Sequence, residues 1–105
     1  NMGLIITPVN EYTDAGELQG ILQDIACGCW FTQNGKTIPK LIRAMDERGG
    51  MHTIRVLEVL ASETKRYSGI ETVEHICRIG VNEHQEAFVK LVFTKEMCTW
   101  KMVFL

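Results

Sequence analysis

Cys27 and Cys29, two thiols two residues apart, are the densest pair of chemically active side chains in this 105-residue sequence. Thiolates at that spacing could share a metal ion or act as a redox pair. Structural zinc sites, however, favour spacers of about two to four residues and a second pair spaced alike. Here the other cysteines, Cys77 and Cys98, stand alone. If Cys27 closes a helix, the negative end of the helix dipole also raises its pKa, which works against a reactive thiol. The pair therefore reads as small apolar groups, with a thiol or metal site kept as a second alternative and no cofactor expected.

His75 and Cys77 lie two residues apart, so on a strand they share a face with Val73, Ile79 and Val81. That arrangement suits a ligand pair or a catalytic dyad. It equally suits a histidine hydrogen-bonded at the margin of an apolar face, and this is the reading adopted. Cys77 and Cys98 both read as core-facing. Two strand spacings, about 9.6 Å, would separate them, too far for a disulfide unless the sheet closes. His52 and His84 read as solvated histidines at strand ends.

A second constellation is basic. Lys36, Lys40, Arg43, Lys65 and Arg66, with Tyr67 and Trp30 near them in sequence, could form the strip of cations and stacking rings that nucleic acid requires. Lys36 and Lys40 share one face of an expected strand and Arg43 points to the other. Lysines on an edge strand also serve simply to prevent edge-to-edge aggregation. No phosphate loop, nucleophile elbow, HExxH or paired-carboxylate signature is present, so no catalytic residue is assigned and enzyme activity is not expected.

These side chains need elements to place them. Asp14 and Glu17 resemble a capping box, and Leu18, Ile21, Leu22, Ile25 and Ala26 follow the spacing of one helical stripe. That predicts a helix over about 14–27, with Gly28 as its C-terminal stop. From Cys29 the period becomes strand-like. Cys29–Gln33 and Lys36–Met45 flank Asn34-Gly35, a strong hairpin signal. Asp46–Gly50 turns the chain into a strand over Met51–Leu60, and Ala61–Ser68 reads as an irregular loop. Ile70–Val81, the alternating run from Ala87 to Phe93, and Cys98–Phe104 complete the set. Pro39, without an amide donor, marks an edge strand or a bulge. Gly3–Pro8 could add a short strand.

The expectation is a single α+β domain over 1–105. An N-terminal helix packs on a bent antiparallel meander of five to six strands over about 29–105, a partial barrel SH3-like in general build.

The charge is −2 overall and unevenly spread: −4 over residues 1–33, +3 over 34–66 and −1 over 67–105. This mildly acidic balance argues against a dedicated nucleic-acid binder. No apolar run is long enough for a membrane helix, and no charged leader opens the chain. With Met2 taken as the natural start, the protein is expected to be soluble and cytoplasmic.

The run Ile38-Pro39-Lys40, then Tyr67-Ser68-Gly69, Cys77 and Cys98-Thr99-Trp100-Lys101-Met102, resembles a group of short uncharacterised proteins of Gram-positive gut bacteria, often encoded near mobile-element genes. The resemblance implies a bacterial cytosolic protein, an accessory of a mobile element, and transfers no functional residue. The sequence therefore supports a non-enzymatic binding module with a protein partner. Nucleic-acid binding through Lys36, Lys40, Arg43, Lys65, Arg66 and Tyr67 is the alternative. Homodimerisation through an edge strand is compatible with either.

Overall fold

The computed structural model describes residues 22–105, and every described element is a strand. In chain order these are β1 (Gln23–Phe31), β2 (Thr37–Met45), β3 (Met51–Tyr67), β4 (Ile70–Asn82), β5 (Gln85–Thr94) and β6 (Thr99–Phe104). Each pairs antiparallel with the next, and β1 returns to β6, so the sheet closes into a six-stranded barrel.

Closure overturns the α+β expectation. Residues 22–27, the expected end of the helix, belong largely to β1; the remainder of that helix, from Asp14, and the Gly3–Pro8 strand lie outside the described residues. Ile25 and Ala26 fit a helical stripe as well as a strand, so local pattern alone could not decide between them. The barrel decides for strand. From Gln23 to Trp30 half-buried and exposed residues alternate strictly, with Ile25, Cys27 and Cys29 against the core. Closing the wall satisfies the backbone groups of β6 that an open sheet would leave at an edge.

The expected loop at Ala61–Ser68 is also strand. β3 runs on to Tyr67 and turns back through Ser68 and Gly69, whose φ values are 53° and 83°. Little apolar alternation marks this stretch. Cross-strand ion pairs hold it instead, Lys65 to Glu74 at 3.3 Å and Arg66 to Glu71 at 3.4 Å. The hairpin expected at Asn34-Gly35 is formed, but its turn is centred on Gln33-Asn34, closed by Gly35 N–H to Thr32 O at 2.8 Å, and only Gly35, at φ 80°, takes the left-handed conformation expected of both.

The interior is filled by Ile42, Ala44, Ile54, Cys77, Ile79, Val89, Leu91 and Met102, each at most 1% exposed. Three bulges set which residues join them. In β2, Gly28 faces Leu41 and Cys29 faces Pro39, which leaves Lys40 as an extra residue and flips the inward set from Thr37 and Pro39 to Ile42 and Ala44. In β3, shifts between Val56 and Glu58 and between Val59 and Ala61 place Val56, Val59 and Ser62 successively opposite Ile79, Cys77 and His75.

Candidate functional site

The barrel is closed at one end and splayed at the other. Ladder pairs join β1 to β6 only at Gln23–Ile25, and β2 to β3 only at Leu41–Met45. Beyond those positions the β1–β2 hairpin, from Ala26 to Lys40, has no strand partner on either outer edge among the described residues. It stands as a flap at the end that also carries the β3–β4 and β5–β6 turns. An ion pair between Asp24 and Lys101 fastens the closed part of the seam, where these residues lie directly opposite.

Two side-chain bridges tie the flap to the barrel. Phe31 meets Phe93 edge-to-face, with ring centroids 6.0 Å apart. Thr37 Oγ1 lies 2.8 Å from His75 Nε2. On one side of the flap, against β6, a cleft of about 690 Å³ is lined by Cys27, Cys29, Phe31, Phe93, Met97 and Trp100 among others. Its walls are mostly apolar, and Phe31 and Met97 are 60% and 66% exposed. Outside the same edge stands Trp30, 65% exposed, paired across β1–β2 with the exposed Ile38. On the other side of the flap, towards β3 and β4, a pocket of about 760 Å³ opens over Val73, Ser62, Thr37 and His75.

His75 sits at the base of that pocket, 3% exposed. Both ring nitrogens are engaged, Nε2 with Thr37 and Nδ1 with Ser62 Oγ at 2.6 Å. Trp100 stacks on the ring at 6.0 Å and 22°. Burial pushes the imidazole pKa below its ordinary 6.5. Nothing in the spacing of Thr37 or Ser62 flagged either residue, because the β2 bulge turns Thr37 inward and the two β3 bulges bring the exposed Ser62 opposite His75.

The same closure brings Cys27 near Cys29 and Cys77 and leaves Cys98 outside. Cys77 is fully buried, and burial raises its pKa to about 11. Cys27 is raised to about 12, by burial first and then by the neighbouring Cys29 and Cys77. Cys98, expected in the core, is instead exposed in the β5–β6 turn at φ 54°. All four are free, and among the described residues no group of three His, Cys, Asp or Glu is placed to hold a metal.

The basic strip is dispersed. Lys65 and Arg66 lie at the tip of the β3–β4 hairpin and are engaged by Glu74 and Glu71. Tyr67 donates its hydroxyl to Glu74 at 3.1 Å, and Lys90 completes the cluster at 3.3 Å. Burial pushes the Glu74 carboxyl up, but hydrogen bonds from Lys65, Tyr67 and Lys90 outweigh it and hold the group below its ordinary range. Lys40 and Arg43 were expected on opposite faces; the Lys40 bulge leaves both exposed, and Lys36 is exposed in the β1–β2 turn. His52, read as solvated, is bonded to Asp46 at 2.6 Å.

No known protein family, curated protein or solved structure matches this chain. Among the described residues no helix is long and apolar enough to cross a membrane.

Proposed function

We propose that the protein is a binding module that takes up an extended segment of a protein partner along the free edge of β1. The observation that carries this reading is the coincidence of a backbone edge, Ala26–Phe31, that is unpaired among the described residues, with an apolar cleft directly beside it. Strand addition draws affinity from main-chain hydrogen bonds and specificity from pockets for alternate side chains. Six residues of edge give roughly 20 Å of ladder. A segment laid there would point one set of side chains at Phe31, Phe93 and Met97 and the other set outward beside Trp30. The fitting partner is therefore a short stretch with apolar residues at alternate positions and little charge, since β1 beyond Asp24 carries none.

Nucleic-acid binding is the weaker reading, because the carboxylates at the β3–β4 tip already engage Lys65 and Arg66. If the likeness to mobile-element accessory proteins holds, the partner is a component of such an element.

Panning a displayed library of random linear peptides on the full chain tests the proposal. Enriched peptides with alternating apolar residues, whose binding is lost in Phe31→Asp and Met97→Asp, are expected. An absence of enrichment, or binders indifferent to both substitutions, would refute it.

A further inference from the structure

Ser62 and His75 form a nucleophile–base pair, and we propose that Ser62 is an acylatable serine for small activated esters with an apolar acyl group. The geometry is that of a general base in reach of a hydroxyl, Oγ to Nδ1 at 2.6 Å. Thr37 Oγ1 lies 2.8 Å from Nε2 and can accept from it, and with the ring proton on Nε2 the Nδ1 lone pair is left for the Ser62 proton. Trp100 holds the ring plane from one side. The imidazole is buried whereas Ser62 is exposed on the lip of the 760 Å³ pocket, so the nucleophile faces the substrate and the base lies behind it.

Two further features argue that the placement is more than packing. Without the two bulges in β3, the alternation from Ile54 and Val56 would not bring Ser62 opposite His75 in the observed register. The pocket above the pair also offers Phe31, Phe93 and Val73 as an apolar wall for an acyl group, with Asn34 and Lys36 at its rim as donors.

In the step, Ser62 Oγ attacks the acyl carbon and its proton passes to His75 Nδ1. The ester bond to the leaving alcohol breaks, and that oxygen takes the proton back from His75. Water then attacks the acyl carbon while His75 Nδ1 takes its proton, the acyl–Oγ bond breaks, the acid leaves and Ser62 Oγ takes the proton back from His75. This site lies on the β3–β4 side of the flap and does not depend on strand addition at β1.

A fluorophosphonate probe tests the pair, because Ser62 Oγ would form the phosphorus–oxygen bond as fluoride leaves. Incubated with the full chain at neutral pH and mapped by peptide mass spectrometry, it should add one group per chain, on Ser62. His75→Gln should slow labelling by about 100-fold or more, the usual range for loss of a positioned base. Thr37→Val, which keeps the pair but frees Nε2, should slow it measurably while far-UV circular dichroism stays native. An unlabelled Ser62 in the folded protein would overturn the proposal. So would labelling at the native rate in His75→Gln or, should that variant not fold, in Thr37→Val.

Discussion

Phe31 and Phe93 meet edge-to-face, at 67° between ring planes, where no ladder pair among the described residues joins β1 to β6. This aromatic contact does there what hydrogen bonds do elsewhere around the barrel. Side chains rather than backbone thus hold the splayed end together, and both surfaces to which function is assigned here flank that end.

Acidification should expose the cost of the buried imidazole. Its folded pKa is depressed, so the unfolded chain takes up a proton near pH 6.5 while the folded chain does not. The stability this confers is complete above that pH and is lost as pH falls through the folded value. The urea midpoint should therefore be lower at pH 5.5 than at pH 7.5, with a shallower dependence in His75→Gln. A midpoint that rises on acidification would contradict the burial of His75.

Thiol reactivity should follow the barrel. Cys98 is exposed, whereas Cys77 is buried with its pKa near 11 and Cys27 sits near 12. Titration with a disulfide reagent at pH 8 should modify Cys98 first and Cys77 last, and all four together in denaturant. Equal rates in the native protein would place Cys77 outside the core.

Leu91, on β5, is fully buried between His75 on β4 and Met102 on β6. Leu91→Ala should destabilise by about 3 kcal/mol, from lost transfer energy plus the cavity left behind. Ile38, exposed on the outer wall, should tolerate Ala within about 0.5 kcal/mol. Chemical denaturation of both variants distinguishes inner from outer wall.

Gly35→Ala isolates backbone strain. A Cβ at Gly35 meets nothing within 4 Å, so the penalty comes only from its φ of 80°. A loss of about 1 kcal/mol is expected in equilibrium unfolding.

Glu74→Gln should cost about 1 kcal/mol, since the carboxylate is itself buried but is shared by Tyr67 and by the partly exposed ammonium groups of Lys65 and Lys90. The difference from the native protein should shrink in 1 M salt, read as the shift in denaturation midpoint.

Much of the wall is legible residue by residue. The Asn34-Gly35 turn, the Asp46–Gly50 turn and the inward alternation of Ala87–Phe93 and Trp100–Phe104 follow from preferences that each short segment carries within itself. The bulge expected at Pro39 lies one residue on, at Lys40. Other features depend on distant chain. β1 is a strand because β6 needs a partner, although Ile25 and Ala26 suit a helix equally well. β3 extends to Tyr67 because Glu71 and Glu74 on β4 reward it, although Ser62–Arg66 lacks apolar rhythm. Period-two alternation names the faces of a strand only until a bulge reverses them, and bulges answer to the curvature of a closed wall. Local chemistry thus determined the turns and most of the core. Barrel closure alone decided which edge stays open and that Ser62 and Thr37 converge on His75, because both depend on registers set between residues far apart in the chain.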